Sequence, residues 1–403
     1  MKTDNVAIIK SSMTHASLTM PTLDVPFLKP QTVMGRNERC WCGSNRKWKH
    51  CHRDRDKQAP VPVSKHVHEM RERLMVGRCM HPAAVSGACG GGPIRAHTIQ
   101  RNGGLSGIAE AGHVLSIVAA FEDLHKNNGV LVPRSVGVGS ASTFSGFCNY
   151  HDTTMFRPVE VGARELSGEN CFLLSFRALA YEFVMKEAAI GTLSLMREND
   201  RGRPYEEQIA IQEHLNVMGV AYQLGLSDLM RWKLDYDAAY VGKEFQRHNA
   251  HAVSFDGVLP VVACGAFTPE VDFNGRQLQK LGVGPAGHEA VTFNLTVFDG
   301  RSVAVLGWMG NQEGPSGHFA ASFVDAVRAT GADAVIKLVF EQLDNTFMQP
   351  TWWSGLPHTD QSIILRHVQS GTPFGHERTK EALLGKGLTF PARVDAISSF
   401  VCR

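Results

Sequence analysis

No apolar run in the 403 residues approaches the roughly 18 that a helix needs to cross a bilayer, so hydropathy excludes a spanning segment. Met1 to Lys10 is interrupted by charge where a signal peptide would have its continuous apolar core. Strong charge of one sign is also missing. The formal balance is +2, which gives bulk electrostatics no case for nucleic acid. Nine cysteines is an odd count, and six of them fall in two ligand-like groups, which argues against a disulfide framework and for a reducing compartment. Absent too are a Walker sequence, a dinucleotide fingerprint, a Ser-His-Asp spacing, internal repeats and low-complexity tracts. The expectation is a cytoplasmic chain without membrane association, long enough for two or three domains.

What the chain does have is soft metal ligands at high local density. Cys40, Cys42, Cys51 and His52 lie within thirteen residues, and thiolates with an imidazole at that density describe a tetrahedral zinc site. Four protein ligands leave no place for water, so such a metal is structural. From Arg36 to Lys57, eight Lys or Arg stand against three acidic residues. Arg46, Lys47, Lys49 and Arg53, with Trp48, are therefore candidates for contact with nucleic acid or a protein partner. With Trp41, Gly43, Ser44, Lys47 and Trp48 between the ligands, the stretch resembles the SEC-C motif, a small zinc module found in many otherwise unrelated bacterial proteins. The resemblance implies docking and no catalysis.

A looser group follows: Cys79, Cys89, Cys148 and His151. Cys148-Asn149-Tyr150-His151 reads as a ligand knuckle, and Gly90, Gly91 and Gly92 suit a tight turn in which amides approach a thiolate. His81, before Pro82, reads as a turn beside Cys79. Arg95 to Ile99 reads as a short strand carrying His97. Ala96-His97, followed later by Cys148, His151, Asp152 and Phe156, is similar to the HNH or treble-clef nuclease pattern over residues 79–156. That resemblance implies that His97 activates water while a divalent ion, Mg or Mn, held by Asp152 polarises the phosphate. Asp152 stands where the family often has a metal-binding histidine. Gln100 and Arg101 are placed to meet phosphate.

The fold class expected is α+β. Residues 1–35 read as an N-terminal arm, 36–57 as the SEC-C-like zinc module, 65–160 as an HNH-like treble-clef zinc domain, 161–250 as a helical region and 251–403 as a C-terminal helix-plus-antiparallel-sheet domain. Short helices are expected at Leu105–Glu110 and Ile117–His125, and longer ones at Lys65–Met75, Cys171–Lys186, Tyr205–Tyr222 and Ser227–Arg247. Arg177, inside an apolar helix, is expected to pair with Glu182 or Glu165. Runs at 259–264, 289–298 and 302–308 read as strands, the last two joined by an Asp299-Gly300 hairpin turn. Runs at 334–340 and 363–368 fit strand or helix. Glu270, Asp272 and Glu341 are a distant set of carboxylates, and Trp352-Trp353 an aromatic pair suited to stacking.

Two functions from different classes follow. One is a DNA- or RNA-directed protein that hydrolyses phosphodiesters with His97 and Asp152, braced by two structural zinc ions. The other is a non-enzymatic adaptor in which both zinc ions are struts and a protein partner binds the SEC-C-like module or the C-terminal sheet.

Overall fold

The computed structural model describes residues 28–117, 130–160, 166–281, 287–371 and 392–401, with single residues 127, 383, 388 and 390. Most of the expected N-terminal arm and of the helix expected at 117–125 lies outside them.

After the first Cys/His group comes α1 (Val63–Leu74), then β1 (Pro93–His97), β2 (His113–Ser116), β3 (Arg134–Gly137) and β4 (Thr143–Cys148). The helix expected near Leu105–Glu110 shrinks to a π turn at Arg101–Leu105 and a helical turn at Ser106–Ile108. Next come α2 (Asn149–Glu160), α3 (Gly168–Met196) and α4 (Tyr205–Gly242). The two helices expected between 205 and 247 are thus one, with no proline to divide them. Ser167 starts α3 as an N-cap, its hydroxyl accepting from the Asn170 amide at 3.1 Å.

The remaining elements are β5 (His248–Phe255), β6 (Val261–Phe267), β7 (Val291–Phe298), β8 (Arg301–Met309), α5 (Pro315–Thr330), α6 (Ala332–Gln342), β9 (Thr346–Met348), α7 (Pro350–Gly355), α8 (His358–Gly371) and β10 (Val394–Phe400). Both ambiguous late runs are helical. β7 and β8 turn through Asp299 and Gly300 at φ of +48° and +74°, the left-handed pair that a two-residue hairpin loop requires.

Eight strands form an antiparallel sheet in the order β10-β5-β8-β7-β6-β9-β2-β3. β2 and β3 come from the stretch between Cys89 and Cys148, so backbone pairing runs across the boundary expected at residue 160. β1 and β4 pair separately as a two-stranded ribbon.

Side-chain alternation shows why the central strands read as near-continuous apolar runs. On β8, Ala304, Leu306 and Trp308 join a core with Phe319 and Phe323 of α5, while Val303 and Val305 face a core with Phe172 and Phe176 of α3. The sheet is covered by helices on both faces, and a strand buried on both sides has no solvent face to mark with polar residues.

On the α3 side the apolar cover is broken by a buried polar group. Thr292 of β7 bonds the Ser175 hydroxyl at 2.7 Å, and His248 of β5 lies beside them, 2% exposed, with neither ring nitrogen bonded among the described residues. Burial pushes the His248 imidazole down to about 3 from its ordinary 6.5. A depressed folded pKa contributes stability that is present above the unfolded value and is lost as pH falls from about 6.5 toward about 3. Between pH 7 and pH 5 this amounts to about 2 kcal/mol, because the unfolded chain takes up a proton that the folded one refuses. We predict that urea titrations of His248→Phe lose that much less stability over the interval than the parent. Equal acid sensitivity in the two chains would contradict the assignment.

Candidate functional site

The first Cys/His set closes within one short loop. Gly43 and Asn45 at positive φ bend the chain after Cys42, and a helical turn at Trp48–His50 delivers Cys51 and His52. Cys42 and Cys51 sulfurs are 3.6 Å apart, and His52 Nδ1 is 3.2 Å from the sulfurs of both Cys40 and Cys51. A tetrahedron with bonds of about 2.3 Å to sulfur has edges of that order, so the residues fit zinc. The thiols share one local charge. The Cys40 and Cys51 contacts hold the Cys42 thiol far below its ordinary value, while the Cys42 and Cys51 contacts push Cys40 up. Three crowded thiols cannot all ionise without a cation, and zinc with its bound thiolates resolves that conflict by releasing protons.

The second set is assembled from distant segments. Cys79 precedes a 3-10 turn, Cys89 precedes the glycine knuckle, and Cys148 and His151 straddle the junction of β4 and α2. His151 Nδ1 is 3.3 Å from the Cys79 and Cys148 sulfurs and 3.8 Å from that of Cys89. Burial would raise the Cys148 thiol, but the His151 and Gly90 amides donate to it and hold it below its ordinary value. This is the amide approach expected of the glycine turn. Cys89 is pushed up to about 11 by desolvation and by Cys79. His81 is not among the ligands. Its Nδ1 accepts from the Ala83 amide, and its ring stacks on that of His151 at 3.9 Å with planes 3° apart.

Both sets bring their four ligand atoms within 4.8 Å of one another, and they are the only groups of three or more such side chains among the described residues. Glu270, Asp272 and Glu341 therefore form no third site. Asp272 caps a turn through the Asn274 and Arg276 amides, and Glu341 faces His367 at 3.6 Å. Trp352 stacks on Phe390 rather than standing free.

His97 ends β1 opposite Thr143 of β4. It takes no part in the second set, because its Nε2 lies 3.0 Å from the Val138 carbonyl oxygen. A carbonyl only accepts, so Nε2 carries the proton and Nδ1 of the neutral ring is left as the acceptor. Just beyond, the Thr98 amide bonds the Ser142 carbonyl, and the Ile99 amide bonds the Ser142 hydroxyl, which also takes Asn345 Nδ2. The imidazole is therefore anchored to the large sheet. Burial raises the carboxyl of Asp152, in the first turn of α2; Arg177 opposes this, Glu160 adds to it, and His97 makes a smaller opposing contribution.

Arg177 corrects one expectation. It is 1% exposed, lies 3.9 Å above the Phe156 ring, and reaches Glu160 at 2.6 Å and Asp152 at 3.4 Å rather than Glu182, while Glu165 lies outside the described residues. Asp152 and Glu160 thus already share a buried cation, and among the described residues no third oxygen ligand joins them. The residues do not fit a Mg or Mn ion held by Asp152.

The basic candidates separate as well. Desolvation, followed by the charges of Arg36, Lys47 and Arg53, lowers the Lys49 ammonium, so these four lie near one another, with Arg53 also paired to Asp54 at 2.7 Å. Arg46 pairs with Glu198 at 3.7 Å. Gln100 donates to the Val159 carbonyl and props α2, whereas Arg101 is exposed. Arg55, counted with the surface charge, is buried.

Asp200 is the residue that local reading missed. It lies 148 positions from His52, in a charged turn between α3 and α4, and accepts from His52 Nε2 at 2.8 Å, Arg55 Nε at 2.6 Å and Gln212 Nε2 at 2.7 Å. Burial would raise its carboxyl, but these partners hold it below its ordinary value.

Metal analysis of the purified chain should return two zinc ions. Cys40→Ser and Cys148→Ser should each return one, whereas two ions in either variant would remove that set from the assignment.

Residues 36–54 match the family model of the SEC-C motif. A 43-residue stretch is 40% identical to the methionine aminopeptidase of Chlamydia trachomatis serovar D (strain ATCC VR-885 / DSM 19411 / UW-3/Cx). It covers 11% of this chain and 15% of that protein, so the chain spans a small part of that relative's length. No solved structure matches. The four converging ligands and the family match together make residues 36–54 a SEC-C zinc module.

Proposed function

We propose that the β1–β4 ribbon and α2 form a treble-clef-like, HNH-like unit that hydrolyses phosphodiester bonds in nucleic acid. The observation that carries this reading is the pinned imidazole. With Nε2 donating to Val138, His97 presents Nδ1 as a base. In the reaction, Nδ1 takes a proton from water as the water oxygen bonds phosphorus. The ester P–O bond breaks, and the leaving oxygen is protonated from solvent. Asp152 stabilises the imidazolium formed, while Arg177 fixes the carboxylate from behind. The second Cys/His set braces the turn between β4 and α2, and its soft ligands hold zinc as a strut. The positive concentration around Lys47, Lys49 and Arg53 would add sequence-independent attraction to the phosphate backbone.

The test is cleavage of supercoiled plasmid, single-stranded DNA and RNA, with and without added Mg or Mn. His97→Ala should lower the rate by roughly 10²- to 10⁴-fold, the span of general-base catalysis, while keeping both zinc ions. Asp152→Asn should lower it less. No cleavage of any substrate by the parent chain, or unchanged cleavage by His97→Ala, overturns the proposal.

A further inference from the structure

Asp200 has a geometry that surface packing of a small module does not require. Its side chain is fully buried, and it is 148 residues from the imidazole it meets. His52 has its two ring nitrogens divided between tasks. Nδ1 faces the thiols, and Nε2 points away from them at Asp200 Oδ2. Every neighbour of the carboxylate is a donor. His52 and Gln212 approach Oδ2, and two nitrogens of Arg55 approach Oδ1 at 2.6 and 2.5 Å. Only a group that accepts at both atoms satisfies them, since an amide would set an NH2 against one donor pair.

The charges match too. Zinc with three thiolates and a neutral imidazole carries one negative charge, Asp200 and Glu198 add two more, and Arg55, Arg197 and Arg201 supply three positive ones, Glu198 meeting both Arg55 and Arg201. Arg197 also joins the module to the helices, donating to the Cys42 carbonyl at 3.4 Å and to Gln212 Oε1 at 2.6 Å. The Gly202 amide donates to the Arg55 carbonyl, and Trp41 packs edge-on against Tyr205 of α4.

We propose that Asp200 is a positioning residue for the first zinc, and that the SEC-C module is a metal-dependent clasp on the α3–α4 corner rather than a freely tethered docking arm. Metal then orders both partners. With zinc bound, His52 is held in one tautomer and aims Nε2–H at the carboxylate, fixing residues 197–212. With zinc removed, the ring is no longer tied through Nδ1 and the corner loosens, while the distant sheet is unaffected. This inference concerns residues 36–58 and 197–212 and does not rest on the hydrolytic reading.

Two measurements test it. In Asp200→Asn, zinc release from the first set to a chelator should speed up, with affinity falling roughly 10- to 100-fold as for other outer-shell partners of a ligating histidine. The second set, scored by the retained ion, should be unchanged. With cobalt in place of zinc, the visible absorption of the first set should shift, which a merely structural contact would not cause. In Cys40→Ser, amide hydrogen exchange at residues 197–212 should rise by at least tenfold while β5–β8 stay protected. Release at the parental rate with an unshifted cobalt spectrum overturns the positioning role. Parental protection at 197–212 in Cys40→Ser that has lost the first ion and kept the second overturns the clasp. If Asp200→Asn does not fold, Asp200→Glu takes its place, and release at the parental rate with an unshifted cobalt spectrum in that variant overturns the positioning role.

Discussion

Three sulfurs and an imbalance of protons are the constraint around which the N-terminal half is organised. At each Cys/His set the chain brings ionisable thiols into contact, where neighbouring negative charge is costly unless a dication supplies the balance. The first set solves this within thirteen residues and then passes the remaining charge outward through His52 to Asp200 and Arg55. The second recruits ligands more than seventy residues apart, so it ties a segment that includes β2 and β3 at both ends. One set is a local knot joined to helices by a carboxylate, and the other is a closure of a long excursion.

The large sheet supplies the second frame. Because helices cover both faces, its strands cannot be slipped by a residue without exchanging one apolar core for another, and register comes from pairing with the helices. The polar seam of Ser175, Thr292 and His248 serves as a marker, since Ser175 meets its partner only when α3 and β7 are aligned. Buried polar contacts of this kind specify an arrangement more than they stabilise it.

Legibility in the sequence followed the range of each interaction. The first ligand set and the Asp299-Gly300 turn are legible because each depends on residues a few positions apart. α4 was read as two helices because no stop signal was weighed against a change in its pattern, yet nothing between 205 and 242 breaks a helix. Strand or helix could not be decided at 334–340, where a short apolar run is buried in either form. Least visible were long-range partners. Arg177, expected to pair with Glu182 or Glu165, is met by Asp152 and Glu160 on another helix, and Asp200 carries no signal beyond a charged turn.

Arg177 also decides how the candidate hydrolytic site must work. A carboxylate on an open surface is free to bind a hard cation, but Asp152 faces a buried guanidinium that cannot leave without exposing its own charge to an apolar helix interface. Its negative charge is therefore already committed to Arg177, which it shares with Glu160. Fixed groups of this sort act by orientation, and their support comes from well outside the ribbon: Arg177 from α3, Ser142 held by Asn345, Val138 from the turn after β3. His97 and Asp152 are thus held by three separate parts of the chain, so any role they have is set by packing well outside the ribbon.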